Sequence, residues 1–266
     1  MKSSSNEIHA VLTRQQIIDQ LRANGITAGM TLMVHSSLRS FGYVCGGAQT
    51  VIDALLEVIG YEGTIVVSMQ SGDNSEPGYW QYPPVAIRFF DVIRKSHPSF
   101  HTTHSDVHRM GAISKSIRHR EGSVTTSHPA VAFSAIGKYA RFICRHHPLD
   151  FPLSKESPLG ACYDLKAHIL LLGVDYDSCT AFHLAESISA KRAVILQGGA
   201  IESSVGRIWQ KYLDYDYDPD DFKNIGLMLQ HKGLVSEFAI GNSKVKFFEM
   251  QPAVDAAVGW LKERVV

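Results

Sequence analysis

The segment Asp177-Ser-Cys-Thr-Ala-Phe-His183-Leu-Ala-Glu186 holds the residues best suited to acid–base work. On a helix, positions three apart share a face, so His183 and Glu186 lie side by side, as do Thr180 and His183. A carboxylate beside an imidazole fixes its tautomer and raises its basicity. An imidazole of ordinary pKa, about 6.5, then takes a proton near neutral pH. Asp177 stands where a helix N-cap is expected. Spacing alone leaves open whether Asp177 or Glu186 orients the imidazole, and it equally fits a structural charge pair in a core.

Three further groupings point to ligands. His35-Ser-Ser-Leu-Arg-Ser-Phe-Gly-Tyr-Val-Cys-Gly-Gly47 is a Ser- and Gly-rich turn between an apolar run and an amphipathic one. Backbone N–H groups, hydroxyls and a helix start can hold phosphate there. The turn is neither a P-loop nor a GxGxxG fingerprint, and an ordinary strand-to-helix connection reads the same way. His101, His104 and His108 with Asp106, together with His97, offer zinc-type ligands, and a metal-dependent hydrolase built on His101, His104 and Asp106 is one alternative reading. No helical spacing forces them to converge. Asp73, Glu76, Tyr79 and Trp80, and then the run 212–221 (YLDYDYDPDD), interleave carboxylates with aromatic rings. Carboxylates pair with ammonium groups and rings cover sugar faces, the needs of a polycationic sugar; a solvated turn has the same composition. Cys45, Cys144, Cys162 and Cys179 are scattered without a Cys-x-x-Cys pair and read as free thiols. There is no G-x-S-x-G elbow.

The elements that must position these groups follow from hydrophobic period. Helices are expected over 13–24, with Thr13 as N-cap and Gly25 as stop, and over 50–59, 85–94, 110–118, 133–143 and 178–192. A closing helix is expected over 252–264. Apolar runs at 31–35, 64–68 and 168–174 read as buried strands, with another at 247–250. Residues 69–84 form a long loop, and 97–109 are irregular. From 193 onward, β-like runs alternate with the acidic stretch 214–221. Strand, loop, helix and strand in sequence imply a βαβ unit. One α/β domain over 1–266 is expected, with a mixed or mostly parallel central sheet flanked by helices and a possible C-terminal lobe from about 193.

Of the 266 residues, 45% are hydrophobic and 20% charged, and formal net charge is zero. That balance fits a large buried core and provides no basic field for nucleic acid or an anionic membrane. No window reaches the ~18 apolar residues of a membrane span. Residues 1–11 lack the apolar core of a signal peptide. The expected location is the cytoplasm.

Taken in order, several motifs resemble the aminoglycoside 3-N-acetyltransferase family. They are VHSSLRSFGYVCGGAQTVIDALLEVIGYEGTIVVSMQS at 34–71, SEPGYWQYPP at 75–84, TSHPAVAFSAIGKYA at 126–140, ESPLG at 156–160 and LLLGVDYDSCTAFHLAE at 170–186. The resemblance implies a fold distinct from the GNAT acetyltransferases, acetyl-CoA as donor, no metal, and direct transfer to an amine of a polycationic aminoglycoside, the 3-amino group of its aminocyclitol ring. It places the general base at His183, with Asp177 and Glu186 in support. It puts coenzyme contacts at His35, Ser36, Ser37, Leu38, Arg39, Gly46, Gly47 and Ser157, and the acceptor groove at Gln70, Asp73, Glu76, Tyr79 and Asp216. Thr125 stands where the family often has arginine, and Ser-Lys-Glu156 where it often has Gly-Glu-x.

Overall fold

The computed structural model describes residue 8 and residues 10–107 and 110–264, so His108 lies outside the described residues. The chain opens with β1 (Val11–Leu12) and α1 (Arg14–Ala23). Thr13 caps α1 in a capping box: its hydroxyl accepts from the Gln16 N–H while the Gln16 side chain accepts from the Thr13 N–H. Then follow β2 (Thr31–Ser36), β3 (Tyr43–Val44), α2 (Gly47–Ile59) and β4 (Thr64–Gln70), the expected βαβ unit. After the loop come α3 (Phe90–Ser96), α4 (Ala112–Arg118), β5 (Val124–Thr125), β6 (Val131–Gly137) and α5 (Ala140–Cys144). The next stretch carries α6 (Pro158–Asp164), β7 (His168–Leu172) and α7 (Ala181–Ser189). The last third adds a hairpin, β8 (Val194–Ser203) and β9 (Gly206–Tyr215), then α8 (Phe222–His231), β10 (Ser236–Ile240), β11 (Ser243–Glu249) and α9 (Met250–Glu263).

Among the described residues the central sheet has seven strands in the order β10-β11-β7-β2-β4-β6-β5. β7, β2 and β4 run parallel at its middle, and the strands on both sides join antiparallel. The central strands are buried on both faces, which explains why their sequences read as continuous apolar runs. Successive residues still go to opposite sides. Met33, Ile169 and Leu171 join Phe133, Phe182, Phe222 and Val254 under α5 to α9. Leu32, Val34, Leu170 and Leu172 join Leu21, Leu55 and Ile117 under α1, α2 and α4. β10 and β11 extend this same sheet beside β7, and the hairpin β8–β9 stands apart as a two-stranded sheet. Among the described residues no helix is long and apolar enough to cross a membrane.

The helix expected over 133–143 is instead the end of strand β6 as far as Gly137, with only the short helix α5 from Ala140. β6 pairs along its whole length with β4, Val66 opposite Ala135 and Ser68 opposite Phe133. Its alanines suit a helix, but the open edge of β4 decides the matter, because strand preference depends on the neighbours a residue packs against. The helix expected over 178–192 is shorter at both ends: it starts at Ala181, and Ala190 in the left-handed region stops it. Both α6 and α8 lie in stretches with no helix expected.

Candidate active site

The carboxyl ends of the parallel strands and the start of α7 meet at one place, where open α/β sheets hold their ligands. A hydrogen bond of 3.0 Å between the Ser68 and Thr180 hydroxyls ties β4 to the residue that begins α7. Three residues on, His183 Nδ1 lies 2.6 Å from Glu186 Oε2. A carboxylate only accepts, so the ring proton sits on Nδ1 and the lone pair is left on Nε2. Glu186 has 0% exposure and His183 keeps 15% of its side chain accessible. The other carboxylate oxygen, Oε1, accepts from Arg192 Nε at 2.5 Å and from the Asp218 N–H at 3.2 Å. Such pairing is the condition for a carboxylate to remain ionised when buried. The His183 ring is held between Tyr217 and Phe222, with ring centroids 4.9 and 4.8 Å away.

His35, at the end of β2, faces this dyad. Burial, and secondarily the charge of neighbouring His183, pushes its pKa down to about 4, so the ring is neutral at physiological pH. Its Nε2 and the Ser36 hydroxyl are buried with no hydrogen-bond partner among the described residues. Unmatched buried polar atoms cost about 1–3 kcal/mol each, and ligand groups would satisfy them. Beyond them the chain turns. The Ser37 N–H donates to the Leu172 carbonyl, Leu38 and exposed Arg39 begin a short 3-10 turn, and Gly46 and Gly47 lead into α2. The sequence reading missed Gly111 here. A Cβ at this residue would sit 2.9 Å from the Ser36 carbonyl oxygen, so only glycine lets the start of α4 approach the turn. The signal was a glycine directly before a helical run. Phe222, directly after the acidic run, and Arg192, at the end of the helix expected over 178–192, were also missed, and Tyr217 enters the sequence analysis only as part of that run.

Other expected site residues are placed differently. Asp177 is neither the helix cap nor a partner of His183. Asp175 caps the 3-10 turn Tyr176–Ser178 by accepting from the Tyr176 N–H, and Asp177 is exposed beside Ser178, 3.5 Å from its hydroxyl. The turn uses up the residues that a longer helix would have included. The Ser157 hydroxyl is engaged within the chain. The residue is 2% exposed, and the hydroxyl donates to the Ser154 carbonyl and accepts from the Leu159 N–H, which caps α6. Glu76 is mostly buried, and Arg94 grips both its oxygens at 2.5 and 3.3 Å, so its charge is already neutralised. Asp73 Oδ2 lies 3.8 Å from His97 Nε2, and that carboxylate raises the His97 pKa. Gln70 ends β4, half-buried, while Tyr79 and Asp216 are exposed. The stacked rings of His101 and His104 lie 4.4 Å apart, but His101 Nδ1 accepts from the Thr103 and His104 N–H groups and shapes a turn. Among the described residues no three His, Cys, Asp or Glu side chains converge as metal ligands. His101, His104 and Asp106 instead line a cleft of about 400 Å³ together with Asp73 and Asn74.

Residues 33–262 match the sequence profile of the aminoglycoside 3-N-acetyltransferase family. The Bacillus subtilis (strain 168) SPbeta prophage-derived aminoglycoside N(3')-acetyltransferase-like protein YokD is 37% identical over 249 residues, 93% of this chain and 92% of that one. Its crystal structure superposes with a TM-score of 0.91 over 95% of this chain and 100% of that chain. The structure of aminoglycoside acetyltransferase AAC(3)-Xa, 32% identical, gives a TM-score of 0.87 over 96% of this chain and 94% of that one. AAC-VIa bound to sisomicin, 25% identical, gives 0.85 over 95% of this chain and 98% of that one.

Proposed function

The chain belongs to the aminoglycoside 3-N-acetyltransferase family, and on that premise we propose that it transfers an acetyl group from acetyl-CoA to the 3-amino group of an aminoglycoside, with His183 as general base. The observation that carries the reading is the His183–Glu186 pair at 2.6 Å, beside a strand-end turn that bears two buried, unpartnered polar atoms. His35 Nε2 and the Ser36 hydroxyl match the carbonyl and amide groups of a coenzyme's pantetheine arm. The turn 36–47 and the start of α4 at Gly111 would flank that arm.

The acceptor amine enters as an ammonium, which has no lone pair and cannot attack. His183 Nε2 takes one proton, while Glu186 stabilises the resulting imidazolium through Nδ1–H. The freed nitrogen lone pair forms the C–N bond at the thioester carbonyl, and a second N–H proton is lost as the C–S bond breaks. The thiolate leaves and is protonated, so one proton is released per ammonium consumed. General-base catalysis of this kind contributes about 10²–10⁴ in rate. The acceptor's other ammonium groups would meet the exposed carboxylates of Asp216 and Asp220 and that of Asp73, with the Tyr215 and Tyr217 rings alongside. The AAC-VIa relative, in its complex with sisomicin, supports an acceptor of this class.

The test is free thiol released from acetyl-CoA over a panel of aminoglycosides. Turnover that requires the antibiotic supports the reading, and mass spectrometry of the product fixes the nitrogen acetylated. Tight coenzyme binding without turnover on any panel member would overturn the acceptor assignment.

A further inference from the structure

Arg192 lies between α7 and the hairpin, in a stretch to which the sequence reading gave no function. Its guanidinium is 21% exposed and touches three parts of the site. Nε donates to Glu186 Oε1 at 2.5 Å, and a terminal nitrogen donates to the Asp218 carbonyl at 2.9 Å. The Asp218 and Asp221 carboxylates each lie 3.5 Å from it. The Asp218 N–H closes the ring by donating to the same Glu186 oxygen at 3.2 Å. One planar fork thus holds the carboxylate that orients His183 and the acidic segment that follows β9. A lysine, with a single point charge, cannot reproduce that geometry.

We propose that Arg192 is a positioning residue that keeps Glu186 aimed at His183 and, with the same side chain, fixes the acidic segment that receives the acceptor's ammonium groups. The proposal rests on the general-base reading above. The groups facing the network come from several elements. His183 meets Glu186 on its own helix, His35 from β2, and Tyr217 and Phe222 from the segment after β9. Tyr217 is close enough for the charges of Glu186 and Asp214 to act on its hydroxyl. Asp221 shares its charge between Arg192 and Arg264 at the end of α9. Arg192 is therefore the cation bonded directly to Glu186. Without it, one positive charge is lost from behind the dyad.

The experiment is steady-state thiol release as a function of pH for wild type, Arg192→Met, Arg192→Lys and His183→Ala. Arg192→Met should move the acid limb of the kcat profile up by about one pH unit. It should also lower kcat about tenfold through misorientation and raise KM for the aminoglycoside, with KM for acetyl-CoA unchanged. Arg192→Lys should return the acid limb to its wild-type position and leave acceptor KM elevated. An Arg192→Met enzyme with the wild-type acid limb and acceptor KM, beside an inactive His183→Ala, would overturn the proposal and leave the base reading intact. Full turnover by His183→Ala would overturn both. If Arg192→Met does not fold, Arg192→Lys decides: unchanged acceptor KM overturns the proposal.

Discussion

Two histidine environments in this fold behave as opposites. At His128, both ring nitrogens serve the backbone. Nδ1 accepts from the Ala130 and Val131 N–H groups at 3.2 Å each, and Nε2 donates to the Leu149 carbonyl at 3.2 Å. Neighbouring His147 bridges Thr126 and the Pro152 carbonyl. Neither ring contacts a carboxylate. Burial pushes their pKa values down to about 3 and about 4, so both stay neutral and join β6 to the segment before α6. His183 has a buried carboxylate on one nitrogen, a cation behind that carboxylate, and the other nitrogen left over. Burial alone makes a histidine a brace. A buried anionic partner with one nitrogen to spare is what a base needs.

The contrast can be broken most directly at His183. His183→Ala should lower kcat by about 10²–10⁴, a barrier increase of about 3–5 kcal/mol, with its denaturation midpoint near wild type. Thiol release and urea melts on the same preparation check both halves. The next effect is on stability against pH. His35, His128 and His147 all have folded pKa values depressed from the ordinary 6.5 to about 3 or 4. Below pH 6.5 the unfolded chain binds more protons at these sites, so stability falls as pH drops, by about 1.4 kcal/mol per histidine per pH unit. Asp214 works the other way. Burial raises its carboxyl to about 7, so its contribution is present at low pH and is lost as pH rises from 4 toward 7. The balance is three against one, and urea midpoints should fall steeply between pH 6.5 and 5. A flat profile there would show that these rings are not buried and neutral.

Smaller changes sharpen the same comparison. Glu186→Gln keeps the shape but removes the charge that supports an imidazolium, and kcat should fall about 10- to 100-fold with coenzyme KM unchanged. His128→Ala should do the reverse, with about 2–3 kcal/mol lost from unmatched backbone groups and kcat per folded molecule kept. Asp214→Asn should act on stability alone, with a gain at pH 8 that exceeds the gain at pH 5 by about 3 kcal/mol, because the raised carboxyl ionises over the two pH units between. Urea melts at the two pH values check it.

The parallel centre of the fold was legible because TLMVH and HILLLG are unbroken apolar runs, and a strand buried on both faces can have no other pattern. β6 was not legible, since Val131–Gly137 owes its state to the free edge of β4, some 60 residues away in the chain. In the site, the His183–Glu186 contact follows from helical spacing, which acts within one turn. Asp177, six residues before His183, lies off the helix altogether, because Asp175 nucleates a tight turn first. Arg192 could not be found by spacing. It belongs to the site because the chain leaving α7 bends back to set its guanidinium on Glu186, where the hairpin also returns Asp218.

One seam in the structure has consequences for how the molecule tolerates its surroundings. Asn74, buried in the loop after β4, grips the backbone of Ala200 like a rung of a ladder. Its amide nitrogen donates to the carbonyl at 2.9 Å and its oxygen accepts from the N–H at 2.7 Å. Beside it, a Cβ at Gly199 would strike Pro129 at 2.8 Å, so the hairpin lies flush against both segments. The joint contains no ions. Rising ionic strength weakens the hold of carboxylates on a polycation but leaves an uncharged amide joint untouched. Brine should therefore leave the hairpin seated on the loop after β4 even as it loosens the charged fork of Arg192 on Asp218 and Asp221.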